Sequence, residues 1–147
     1  MTIHADIARE LPELRRQAES LMTLTLAAYS PTGNFTTDPD GYEVPEYTPE
    51  GSTFGKVQGT SNKDTPTRYV TIGGVERPVI EGGLHIPVSA PVPTAGEQRG
   101  LADGPWEYVV TATGDADPAL LGRRYMVVGV PAKSYATARR LDVVEVG

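Results

Sequence analysis

Cysteine is absent from this chain, which excludes a disulfide framework and any metal site built on thiolates. Histidine occurs only at His4 and His85, in unrelated settings, so a multi-histidine metal centre is not expected. No apolar run approaches the roughly 20 residues that a membrane-spanning helix needs. The first residues lack the cationic-then-apolar pattern of a secretion signal. The expectation is a soluble protein, made in a reducing cytosol, with no membrane partner. Cations are also in short supply, with 13 Lys and Arg against 19 Asp and Glu for a net charge of −6 and a pI near 4.9. Tight binding of DNA or RNA draws on clustered Lys and Arg, so the acid excess argues against it. An acidic protein can still stand beside DNA without gripping it.

Glycine and proline are plentiful, at 16 and 13 of 147 residues. That much chain punctuation favours short strands and long loops over a helical bundle. The length suits a single domain, 1–147, with one core. Residues 1–22 read as helix. Ile3, Ile7, Leu11, Leu14, Ala18 and Leu21 recur at spacings of three and four and form one apolar stripe. The stripe keeps its phase across Pro12, which predicts one bent helix rather than two. Such a helix would cover one opening of a barrel or dock against a neighbouring subunit, and the first is favoured.

From residue 23 to 147 the pattern changes to period two. Leu24, Leu26 and Ala28 alternate with Thr23, Thr25 and Ala27 in a first strand. Residues 30–52 are then rich in Pro, Gly, Thr, Asp and Glu, and read as an extended loop turning at Asp38-Pro39-Asp40-Gly41; a hairpin arm reaching a neighbour also fits. Residues 53–60 are a weaker strand with Phe54 as its anchor. Residues 68–72 and 75–80 flank Gly73-Gly74 as a tight hairpin. Residues 84–88 are a short strand, and 106–112 (WEYVVTA) alternate Trp106, Tyr108 and Val110 with Glu107 and Val109. The fold class expected is mainly β: a small β-barrel of about five to seven strands with one N-terminal amphipathic α-helix and long loops.

Residues 114–146 read GDADPALLGRRYMVVGVPAKSYATARRLDVVEV. Asp115 to Pro118 signal a turn, 119–122 suit one helical turn stopped by Gly122, and 124–130 and 140–146 are strands with apolar residues on both faces. GDADPALLGRRYMVVGVP followed by ATARRLDVVEV, from about Ala112 onward, resembles the head-to-tail connector proteins of the stopper (head-closure) type. These occur in the neck of long-tailed phages, particularly those of actinobacterial hosts. The resemblance implies a structural virion protein made in the bacterial cytoplasm. It would form a ring, of six copies, that retains packaged DNA and joins the portal-bound adaptor to the tail terminator and tail tube. Double-stranded DNA would pass through its channel without sequence-specific binding. Alternatives are another head-tail connector or tail-completion subunit, or a small β-barrel that binds oligonucleotides, for which Tyr69 beside Arg68 is the tempting pair.

A search for catalytic chemistry finds little. Asp115 and Asp117 lack further ligands at calcium-loop spacing, and turn capping accounts for them. No serine lies in a nucleophile turn, and no glycine-rich stretch matches a phosphate cradle. His85, between Leu84 and Ile86, is expected to face solvent. The reading is of a non-enzyme with no cofactor and no metal. Arg123-Arg124 and Arg139-Arg140 stand out, either as ordinary strand-end solubilisation or as cations that meet carboxylates across a subunit boundary. Contacts with other subunits or the adaptor are therefore assigned to Ile3, Ile7, Tyr42, Tyr47, Arg124, Arg139 and Arg140. Residues 61–67 are assigned to a channel, with Asn62, Lys63 and Asp64 at the tip. A channel wall is expected to be neutral or anionic so that it repels phosphate and lets a duplex slide.

Overall fold

The computed structural model describes residues 3–58, 68–72, 74–93, 106–130 and 137–146, with helix side chains from residue 9 onward. It is mainly β with one N-terminal helix, α1 (Ile3–Ser20). Six strands close on themselves in the order β1-β2-β5-β8-β7-β6, and β3-β4 form a separate two-stranded hairpin. The ring strands are β1 (Leu24–Thr37), β2 (Glu43–Val57), β5 (Ile80–Ile86), β6 (Glu107–Ala112), β7 (Arg124–Gly129) and β8 (Arg139–Glu145). The hairpin strands are β3 (Tyr69–Ile72) and β4 (Val75–Pro78), paired Ile72 to Val75 around the expected glycine turn. Every ladder is antiparallel. The ring is unevenly sewn: among the described residues β2 meets β5 through Lys56–His85 and Val57–Leu84, with Gln58 N donating to the Gly83 carbonyl at 2.8 Å just beyond.

Alternation decides which residues enter the interior. Leu24, Leu26, Ala28, Leu84, Ile86, Tyr108, Val110, Tyr125, Val127, Leu141 and Val143 face inward and pack with Trp106 into one core. The ends of the ring are filled as well. Ala90 and Val92 pack on the core after β5, and the Tyr108 hydroxyl donates to the Pro91 carbonyl. Ala116 and Leu120 pack on it from the β6–β7 connection, where Asp117 Oδ1 accepts from Ala119 N at 3.0 Å and caps the 3-10 turn Pro118–Leu120.

Three expectations are corrected. Residues 30–52 are ladder rather than loop: β1 and β2 run on past the ring as a hairpin arm, paired from Tyr29–Pro49 to Thr37–Glu43. Phe54 is no anchor, because it is 60% exposed on the outer wall while Gly55 takes the buried position. A Cβ at Gly55 would collide with Leu26 Cδ1 and lie 3.1 Å from the His85 carbonyl oxygen. The close approach of β1 therefore leaves no room for a side chain there. The helix continues through Pro12 as one element, but its described side chains do not enter the core. Leu14 is 41% exposed and Leu21, just past the helix, 61%, so among the described side chains it is the segments before and after β6, not those of α1, that pack on the core.

The two kinds of apolar residue predict opposite responses to truncation. Leu141→Ala should cost about 2–5 kcal/mol, through lost burial and a cavity. Leu14→Ala should stay within about 0.5 kcal/mol. Urea unfolding of the two variants beside the parent measures both.

Candidate functional site

The arm begins where ring pairing stops. β1 is flanked by β2 and β6 as far as Tyr29, which pairs with both Pro49 and Glu107; from Ser30 outward β2 is its only partner. The ribbon therefore projects about 25 Å at the usual strand rise. Its register shifts twice, between Ala28 and Tyr29 and between Pro31 and Phe35. Gly51 (φ 114°) and Gly33 (φ 85°) lie at these irregularities, where a bulge needs a backbone that other residues rarely adopt. The tip is the turn foreseen at Asp38, whose Oδ1 accepts from Asp40 N at 3.0 Å and Tyr42 N at 2.8 Å.

Cross-strand partners share a face, so Pro31 with Tyr47 and Phe35 with Pro45 form an apolar stripe along one side of the arm. Phe35 is half exposed and Tyr42 is 71% exposed at the tip. The other side is polar, with Ser30 Oγ donating to Glu50 Oε1 at 2.6 Å and Thr32 Oγ1 to the Glu46 carbonyl at 3.3 Å. The arm carries Asp38, Asp40, Glu43, Glu46 and Glu50, and no Lys or Arg occurs from 24 to 55. Prolines 31, 45 and 49 remove backbone donors from its edges, which hinders the addition of a further strand.

At the arm's root Glu107 is buried on the outer wall and ion-paired with Arg124 Nε. The hydrogen bond to Glu107 is the main reason that the Arg124 guanidinium is held above its usual range. Tyr47 is half-buried beside this pair. Burial first, then the Glu107 charge, raises its phenol above the ordinary range, with Arg124 opposing. The neighbouring Arg123 pairs with Glu145 at 2.5 Å and donates from Nε to the Ala119 carbonyl at 3.1 Å. Both arginines of the first basic pair thus meet carboxylates of their own chain.

A second cluster occupies the outer wall at the far end of β2. Lys56, His85 and Arg140 stand in register across β2, β5 and β8, with exposed Phe54 two residues from Lys56. Lys56 and Arg140 enter no ion pair among the described residues. Arg139 Nε reaches the Val88 carbonyl at 3.4 Å, so this basic pair divides between a chain contact and an exposed cation. The β3–β4 hairpin lies against the same wall: Arg68 pairs with Asp142 at 3.7 Å, and Arg77 Nη1 donates to the Glu145 carbonyl at 3.5 Å. Tyr69 is 55% exposed beside Arg68. His85, expected to face solvent, is only 9% exposed between its cationic neighbours.

Of the residues assigned to interfaces, Tyr42 is at the arm tip, Tyr47 and Arg124 at its root, and Arg139 and Arg140 on β8. Ile3 and Ile7 belong to α1, with side chains outside the described residues, and Asn62, Lys63 and Asp64 lie outside them altogether. The structure does not unite these residues in one site; it divides them between the arm and the β8 wall. Sequence reasoning missed Glu107 and the Phe54–Lys56 patch. An acid in an apolar strand was visible, but its partner depends on the β6–β7 register. Among the described residues no group of three or more His, Cys, Asp or Glu converges to hold a metal, and no helix is long and apolar enough to cross a membrane.

A family model matches residues 14–144, and the chain belongs to that family, a family of unknown function (DUF6093). No curated protein and no solved structure matches it.

Two outcomes follow from these clusters. Arg124→Ala leaves the Glu107 carboxylate buried without its partner and should cost about 1–3 kcal/mol; adding Glu107→Gln should recover part of that loss, read from urea melts. Burial, then repulsion by Lys56 and Arg140, pulls the His85 pKa below 6.5, against a backbone hydrogen bond with Gly82. The neutral form is favoured by folding, so its contribution is complete above the unfolded value of about 6.5 and is lost as pH falls toward the depressed folded value. His85→Gln should flatten this acid-side fall when melting temperatures are compared across that range.

Proposed function

We propose that the chain is a structural subunit of a phage neck, a head-to-tail stopper or head-closure protein. Its copies would assemble into a ring that retains packaged DNA and joins the portal-bound adaptor to the tail. The observation that carries this reading is the contrast between a filled ring and two uncovered apolar appendages. Leu14 and Leu21 at the helix, and Phe35 and Tyr42 on the arm, are exposed and add nothing to the core of their own barrel. Apolar surface left in this way suits contacts between subunits. The resemblance of residues 112–146 to stopper proteins supplies the particular assembly, and six is the copy number it implies. In this reading the channel runs between copies, because a hydrophobic core occupies the interior of each ring of strands. An arm with carboxylates and no cation would border such a channel without holding phosphate. No catalytic step is assigned to the protein.

A second reading has one observation in its favour. Exposed Phe54 beside Lys56 and Arg140 is the combination used by barrels that stack and neutralise single-stranded nucleic acid. The net charge of −6 weighs against it.

Disrupting the gene in its phage tests the first reading. The expected result is capsids that package DNA and lose it, with tails unattached, and the protein found at the neck by gold labelling of parental virions. Tailed, DNA-filled, infectious particles that lack the protein would overturn it. Salt-dependent binding of a labelled single strand in fluorescence anisotropy would favour the second.

A further inference from the structure

Acids and a base are separated along a single strand, β2, with Glu43, Glu46 and Glu50 on the arm and Lys56 toward the other end. Glu43 and Lys56 stand near opposite ends of β2, roughly 40 Å apart at the usual rise per residue. At the arm end, Asp40, Tyr42 and Glu43 form an acidic tip with an aromatic side chain 71% exposed. The Asp38 carboxylate is engaged in the turn, and those of Glu46 and Glu50 meet Thr32 and Ser30. Asp40 and Glu43 have no side-chain partner among the described residues. At the other end, Phe54, Lys56 and Arg140 offer an exposed aromatic and two cations without ion pairs among the described residues. Each patch is the charge complement of the other.

We infer that the arm tip of one copy docks on the Phe54–Lys56–Arg140 wall of a second copy of this chain. The length of β2 separates the two patches within one molecule, so a tip does not reach its own wall. Different patches meeting between copies make a head-to-tail contact, which continues from copy to copy and closes into a ring when the rotation permits. The arm's prolines hinder strand addition, so the contact is one of side-chain faces, with charges setting register and encounter. This inference rests on the assembling half of the proposed function and not on a place in a virion.

Charge exchange tests it with the full chain. One variant carries Asp40→Lys and Glu43→Lys, the other Lys56→Glu and Arg140→Glu; matched thermal melts establish that both fold. Sedimentation equilibrium should show self-association of the parent that weakens with salt, and at least about tenfold weaker association of each variant alone. Mixing the two variants should restore it, because each reversed patch then meets its complement on the other. The inference is overturned by a parent that stays monomeric or uses the wall to bind a single-stranded DNA probe. It is overturned equally by variants that associate like the parent, or by a mixture that does not recover. Restored mixing with no protein in virions would sink the neck assignment alone, and neck labelling without restored mixing would sink this contact alone.

Discussion

Closure of the ring by the β1–β6 ladder is the constraint on which the rest of the molecule depends. An open sheet exposes unpaired backbone at two edges, and pairing the first strand with the sixth in spatial order removes both. That ladder extends only from Thr25 to Tyr29. Within it β1 is a core strand, with Leu26 and Ala28 facing inward. Beyond it the same strand has β2 as its only neighbour and becomes a free ribbon. The arm is the surplus length of two strands that outrun their barrel. The bulge at Ala28/Tyr29, with Gly51 opposite, lies where β1 changes from one role to the other.

The outer wall shows how a chain with few cations distributes them. Arg123 and Arg124 neutralise Glu145 and Glu107 near the arm's root. Glu107 tolerates burial because its partner is present and half exposed, so one end of the pair remains hydrated. Arg68 meets Asp142 under the β3–β4 hairpin. Lys56 and Arg140 flank His85 at the other end of β2; burial first, and then those two charges, holds the imidazole toward its neutral form. Net charge alone describes an acidic protein. Along β2 the charge is nonetheless divided, with Glu43, Glu46 and Glu50 on the arm and Lys56 at the other end, beside Arg140 of β8.

Much of this architecture is legible in the sequence, because burial on one face imposes a period of two. The alternation of Leu24, Leu26 and Ala28, and of Leu141 with Val143, marks inward faces that the core contains. The turn at Asp38 and the hairpin at Gly73-Gly74 follow from residues whose preferred backbone geometry is local. The arm was harder to read. A solvated ribbon buries no face, so its strands show the Thr, Pro and Glu composition of a loop. Phe54 defies its composition for a related reason: size favours it as the inward residue of its strand, but Leu26 of the opposing strand already fills the space at Gly55, so the glycine faces in and Phe54 faces out.

The sequence by itself determined a mainly β domain, one helix carried through Pro12, the alternation of the strands at 24–28 and 106–110, and the position of the turn at Asp38. Each depends on a local preference or on a repeat along one segment. Only the tertiary structure decided that Leu14 is left exposed on α1, that Glu107 meets Arg124, and that Lys56, His85 and Arg140 form a row. Those results depend on the register between strands distant in the chain, and a shift of one residue would turn each side chain to the opposite face.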